Sequence, residues 1–216
     1  MWKIICDIFF LGDHMAKLYF RYGAMNCGKT TSLLQVAFNY NERGMKVLLL
    51  KPSIDKKGGK NLISRLGASR EVDYLVTPDE SIIDLVHDNV NGKKKKVSCI
   101  LVDEAQFLQP KQVEDLFELS ATKDIPVICY GLRTDFKGNG FPGATRLLEL
   151  ASSIEEMKTI CECGKKATMN ARFVNDKFTV DGDQVAIDGF DEVTYKSMCP
   201  RCYLKKVKKL VKNKNV

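Results

Sequence analysis

Apolar positions along the chain fall into short unbroken runs separated by stretches of helical spacing. The first run, residues 18–22, is β-prone and empties into a glycine-bearing turn; residues 32–38 then carry apolar positions at helical spacing, in a helix predicted to end near Arg43 and Gly44. Residues 45–51 form a continuous apolar run closed by Pro52, the mark of a buried parallel strand. Residues 53–69 are polar, hold glycines and show no period, which predicts a flexible loop. A weak strand at 74–76 follows, then a helix at 79–89 opened by Thr77, Pro78 and Asp79 and carrying Ile82, Ile83, Leu85 and Val86. The lysine run at 93–96 marks a surface turn. A buried strand over 97–102, a helix over 111–122, a strand over 126–130, a loop over 131–136 and a helix over 144–151 complete the alternation. Strands alternating with helices predict a parallel sheet with helices packed on it, and ligands outside the carboxyl ends of its strands. Three stretches fall at such ends: 23–30, 103–107 and 131–141. From about residue 157 the pattern changes to short β-prone pieces, glycine turns and paired cysteines, which predicts a small second domain. No internal repeat is visible.

Composition narrows the class. A chain of 216 residues with 44% hydrophobic and 28% charged content is ordinary for a soluble globular protein of one or two domains, and no apolar run reaches the length of a membrane span. The net charge of +7 is local, concentrated at 93–96 and in the tail 205–214. That tail lacks the interleaved aromatics that stack on bases, so a solvated, partly disordered end is expected rather than a grip on nucleic acid or membrane. Residues 1–14 hold a short apolar run after one lysine, superficially like a secretory signal. Asp7 interrupts it and no A-x-A-like cleavage site follows, so the segment is read as an extension outside the fold, with Met15 as the start.

The turn after the first run reads GAMNCGKT, which fits the P-loop pattern G-x-x-x-x-G-K-S/T with a strand before it and a helix after it. Glycines at both ends let the backbone curl so that successive N–H groups face one phosphate, and the following helix offers its positive end to the same charge. Gly23, Ala24, Met25, Asn26, Cys27, Gly28, Lys29, Thr30 and Thr31 are thus expected to bind ATP, with Lys29 reaching the β and γ phosphates and Thr30 offering its hydroxyl to Mg²⁺. The run 97–102 delivers Asp103, expected to hold Mg²⁺ opposite Thr30, and then Glu104, placed to act as a general base or to orient water. The bland alternative is that Asp103 and Glu104 cap the next helix.

Of the eight cysteines, Cys6, Cys27, Cys99 and Cys129 are scattered, whereas Cys161, Cys163, Cys199 and Cys202 form two close pairs. Four thiolates so paired suit a closed, structural zinc site that folds a domain with little core of its own; reduced cysteines without metal are the alternative. The one-residue spacer between Cys161 and Cys163 is tighter than usual.

The ordered set GAMNCGKT, LVDEAQF, CYGLRTDF followed by Phe141, and cysteine pairs bracketing a loop that ends in Tyr195 to Cys199 resembles the zinc-containing, cytosolic-type thymidine kinases, from about Met15 to Lys206. The resemblance implies a RecA-like P-loop sheet with a small C-terminal zinc-binding lasso domain. The expected division is 1–14 extension, 15–156 P-loop domain, 157–206 lasso domain and 207–216 basic tail. It implies transfer of the ATP γ-phosphate to the 5′-hydroxyl of thymidine, with Glu104 taking the proton and Lys29, Thr30, Asp103 and Mg²⁺ handling charge. Met25, Leu132, Phe136 and Phe141 match the family's apolar wall around the base, with Phe107 in the same substrate-binding set. Tyr195 matches the tyrosine that closes over the base, and the lasso backbone at Val185, Ile187 and Gly189 would pair with the thymine edge. Arg172 falls where the family places a phosphate-facing arginine. The family's usual Asp-x-Arg after the second strand has Lys57 in the arginine's place, so the transition-state cation is Lys57, Arg65 or Arg172. Asn170 stands where threonine is frequent, and Cys27 where serine is. A homotetramer, a cytoplasmic location and feedback inhibition by thymidine triphosphate are also implied, with no nucleic acid or membrane partner. The competing reading is a nucleic-acid-dependent P-loop ATPase with a zinc ribbon; a non-catalytic zinc-ribbon binding module is a third.

Overall fold

The computed structural model describes residues 15–55, 58–91, 96–184 and 193–214. The extension 1–14, the lysines at 93–95, Lys57 and the lasso positions Val185, Ile187 and Gly189 lie outside the described residues.

β1 (Leu18–Tyr22) leads through the P-loop into α1 (Lys29–Glu42), which begins where Gly28 takes a left-handed φ of 84°. β2 (Lys46–Pro52), β3 (Asn61–Ile63), β4 (Ser69–Glu71) and β5 (Tyr74–Val76) precede α2 (Ile82–Asn91). β6 (Val97–Val102) runs through a short 3₁₀ turn, Ala105–Phe107, into α3 (Pro110–Thr122), whose start is fixed by Pro110 and by a capping box of Gln109 and Gln112. β7 (Val127–Gly131), α4 (Pro142–Leu150) and β8 (Ser153–Glu156) finish the first lobe. The C-terminal lobe holds β9 (Thr159–Ile160), β10 (Lys166–Ala167), β11 (Met169–Val174), β12 (Lys177–Thr179), β13 (Val193–Met198) and α5 (Pro200–Lys214).

The main sheet has the order β5-β2-β6-β7-β1-β8, and every pairing in it is parallel. Successive side chains alternate between its faces. Leu48, Leu50, Ile100, Val102, Leu18 and Phe20 pack under Ile82 and Val86 of α2, Val113 and Leu116 of α3, and Ala144 and Leu147 of α4. Val47, Leu49, Cys99, Leu101, Ile128 and Tyr130 pack under Leu33 and Ala37 of α1. Each fully buried aliphatic side chain of this kind stabilises the fold by about 1.5–3 kcal/mol.

Apart from the start of α2, which falls at Ile82 rather than Asp79, three elements differ from the sequence expectation. The stretch 53–69, expected to be a flexible loop, contains β3, which pairs antiparallel with β4. Its strands have three residues each and Leu62 is the one apolar side chain that β3 turns inward, so no period could register. β8 had no apolar run to announce it, because Ser153 to Glu156 sits at the sheet edge with Ile154 exposed. The basic end, expected to be partly disordered, continues α5 to Lys214, with Lys205, Lys208, Lys209 and Lys212 facing solvent.

In the C-terminal lobe β11 lies between β12 and β13. One face of this sheet carries Ala171, Phe173 and Met198 into a small core with Cys161, Cys199 and Tyr203. The lobe is tied to the loop after β7 by the Tyr203 hydroxyl, which donates to the Phe136 carbonyl at 2.6 Å.

Candidate functional site

The P-loop curls because its backbone takes conformations that few residues accept. Asn26 has φ 66° and Gly28 φ 84°, which turns successive N–H groups toward one point. Gly23 has no room for a side chain: a Cβ there would lie 2.4 Å from the Met157 carbonyl oxygen and 2.5 Å from Cys27 Sγ. The Lys29 side chain is buried and its ammonium donates to the carbonyls of Ala24 at 3.2 Å and Gly23 at 3.4 Å. It therefore occupies the hollow of the loop, where a phosphate oxygen would find it.

Thr30 donates its hydroxyl to Asp103 Oδ2 at 3.0 Å. The other oxygen, Asp103 Oδ1, is buried without a hydrogen-bond partner. Burial, and then the neighbouring Glu104 carboxylate, push the Asp103 carboxyl up to about 7, against the lowering effect of the Thr30 hydroxyl and Lys29. A hard divalent cation at the orphaned oxygen supplies the charge this carboxylate lacks, so the pair Thr30 and Asp103 fits Mg²⁺. Proton and cation compete for the same oxygen.

Glu104 follows in a left-handed conformation, φ 49° and ψ 37°, which turns its side chain off the line of β6. The Gln106 amide donates to Glu104 Oε2 at 2.6 Å, while Gln106 Oε1 accepts the Leu132 N–H at 2.9 Å. Gln106 is 1% exposed, so it is a fixed strut between the ends of β6 and β7. Glu104 makes no side-chain cap of the turn it opens, and α3 is capped by Gln109; the reading of these acids as helix caps fails. Thr30, Asp103 and Glu104 line a cavity of about 220 Å³ that Lys51, Asp55 and Arg65 also line. Lys51 is 2% exposed and pairs with Asp55 at 2.9 Å.

Of the expected apolar wall, Leu132 and Phe141 are buried together, with Met25 and Phe107 packed against the same cluster. Phe107 and Phe141 meet edge to face at 5.5 Å. Phe136 is buried beneath the Arg172 guanidinium at 5.0 Å. Arg172 donates to the Asp183 carbonyl at 3.1 Å, so its described contacts are with the lasso base and Phe136. Tyr195 is half-buried opposite Arg172 in the β11–β13 register. Burial raises its hydroxyl above the ordinary range. Sequence reasoning assigned no role to Gln106 or Lys51. The signal was there only as polar residues beside apolar runs, and their partners come from other strands.

Cys161, Cys163, Cys199 and Cys202 bring their sulfurs within 4.8 Å of one another. A tetrahedral zinc tetrathiolate has sulfurs about 3.8 Å apart, and Cys163 and Cys199 lie at 3.6 Å. The short spacer is accommodated by a turn in which the Gly164 N–H bonds the Cys161 carbonyl at 2.8 Å. Backbone N–H groups, that of Cys163 foremost, lower the Cys161 thiol to about 7, whereas neighbouring sulfurs, Cys199 first, push Cys202 up to about 12. The four sulfurs lie close enough to share one cation, and the cluster fits a metal ion.

A P-loop on a parallel sheet, a carboxylate pair at the end of β6 and a lobe with a four-cysteine cluster define a P-loop nucleotide-binding protein whose C-terminal lobe could hold a metal ion. The thymidine kinase family model matches residues 16–203. The chain is 48% identical over 191 residues to a thymidine kinase of Chromobacterium violaceum, covering 88% of this chain and 98% of that one. It is 47% identical over 188 residues to one of Idiomarina loihiensis, covering 86% and 94%. The chain belongs to the thymidine kinase family. Among solved structures, the Legionella pneumophila ATPase DotB aligns with TM-score 0.37 and 14% identity over 74% of this chain and 46% of its own, too slight a likeness to carry an argument.

Proposed function

We propose that the protein transfers the γ-phosphate of ATP to the 5′-hydroxyl of thymidine. The observation that carries this reading is the family match across residues 16–203, joined to an intact P-loop whose threonine bonds the first of two carboxylates. In this reading residues 23–31 cradle the phosphates, with Lys29 drawn from the loop carbonyls onto the β and γ oxygens. Glu104, held by Gln106, accepts the proton of the attacking 5′-hydroxyl. Mg²⁺ held by Thr30 and Asp103 would neutralise charge on the phosphates. Met25, Phe107, Leu132 and Phe141 offer the base an apolar wall. Phe136, Tyr195 and the lasso positions Val185, Ile187 and Gly189 complete that pocket. Arg65, on the cavity beside Glu104, is the described cation best supported for the transferring phosphate; Arg172 is engaged with Asp183.

The four cysteines take Zn²⁺ as a closed structural site. The same reading divides the chain into a nucleotide-binding domain, 15–156, and a lasso domain, 157–206, followed by a basic tail. It includes a homotetramer, a cytoplasmic location and feedback inhibition by thymidine triphosphate. Among the described residues no helix is long and apolar enough to cross a membrane. The nucleic-acid-dependent ATPase is not favoured, since the family match spans nearly the whole chain.

Transfer of labelled phosphate from ATP to thymidine, deoxycytidine and deoxyguanosine, run beside ATPase activity with and without DNA, tests the reading. Thymidine monophosphate is the expected product; DNA-stimulated hydrolysis with no nucleoside labelled would reject it. Gln106→Ala should lower kcat about tenfold, because Glu104 loses its strut and the Leu132 N–H its acceptor. KM for ATP should stay within about twofold, since no P-loop group is touched. An unchanged kcat would remove Gln106 from any positioning role.

A further inference from the structure

Asn170 and Ser197 face each other across the β11–β13 ladder. They lie on the sheet face opposite to Ala171, Phe173 and Met198, which build the lobe's core. Both reach one residue of the P-loop. Asn170 Oδ1 accepts the Met25 N–H at 2.8 Å, and the Ser197 hydroxyl donates to the Met25 carbonyl. The Asn170 amide then donates to the Thr134 carbonyl at 2.9 Å, and Asn170 is 3% exposed. A cross-strand pair of side chains thus satisfies both backbone groups of one loop residue, as a neighbouring strand would.

We propose that Asn170 and Ser197 are positioning residues that clasp the Met25 backbone from both sides and set the geometry of the phosphate cradle from the C-terminal lobe. With both Met25 groups turned to the lobe, the next residues are held in the curl that begins at Asn26, φ 66°, so the cradle is ordered before ATP arrives and binding does not bear the ordering cost. Arg172 and Tyr195 form the adjacent rung on the same face. The clasp therefore also sets the spacing between the ATP loop and the lasso side of the nucleoside pocket.

This inference rests on the proposed function. Equilibrium titration with a fluorescent ATP analogue, beside steady-state kinetics, separates the two. Ser197→Ala and Asn170→Ala should each weaken ATP analogue binding about 5- to 30-fold and raise KM for ATP in parallel, the range expected for an unsatisfied buried group. The double variant should be scarcely worse than the poorer single one, since either loss frees the backbone of the same residue. Ser197→Thr, which keeps the hydroxyl, should bind within about twofold of the parent. Metal content and thermal unfolding should match the parent for the serine variants; Ser197→Ala against Ser197→Thr decides the matter even if Asn170→Ala does not fold. A parent chain that binds no ATP would overturn the functional reading. A parent that binds, with Ser197→Ala binding equally well, would overturn the clasp.

Discussion

Glu104→Gln is expected to lower kcat by about 10²–10⁴-fold, the range for loss of a general base. The substitution is nearly isosteric, and the left-handed backbone at Glu104 is set by the turn rather than by the charge, so the fold should be unchanged. Nucleotide binding should survive for a further reason. The Glu104 charge is one of the causes that raise the Asp103 carboxyl to about 7. Removing it lets Asp103 ionise at lower pH, so Mg²⁺-dependent ATP binding near pH 6 should hold or tighten while turnover collapses. Stopped-time phosphate transfer together with ATP titration at pH 6 and pH 8 reads both halves. Turnover within tenfold of the parent would remove Glu104 from the base role.

Cys199→Ser is expected to bring bound zinc from near one per chain to below about a tenth, because an alcohol is a poor substitute for a thiolate on a soft site. The structural effect should be confined to the C-terminal lobe. Its core among the described residues is Cys161, Ala167, Ala171, Phe173, Met198, Cys199 and Tyr203, too few apolar side chains to fold alone, and two of them belong to the four-cysteine cluster. The main sheet has two separate cores of its own. Metal analysis with hydrogen exchange should show fast exchange across β11 and β13 and retained protection in β6 and β7. A parent chain purified without metal and yet protected in β11 would reject the structural metal.

The parts of the fold that could be read from the chain were those where one residue run meets one environment. β2, β6 and β7 are buried on both faces, so their sequences are unbroken apolar runs between breakers, and P-loop chemistry is local to eight successive residues. What escaped depends on company. β3 and β8 acquire their strand character from neighbours rather than from a period. Gln106 matters because β7 lies beside β6 in space, bringing the Leu132 N–H to it. Asn170 was visible as a departure from family habit, but its reach to Met25 follows from the docking of one lobe on another.

The sheet order has a temporal consequence. Among the described residues β1, which carries the nucleotide loop and leaves the ribosome early, pairs with β7 and β8, the last strands of that sheet to be made. Until Val127 to Gly131 has emerged, the loop hangs from an unpaired strand, and closing so long a span is slow. Arrested nascent chains ending before Val127 should fail to retain ATP in a filter-binding assay, whereas chains extending past Glu156 should acquire some retention. On this sheet order a nucleotide site is expected only once the sheet that frames it is complete.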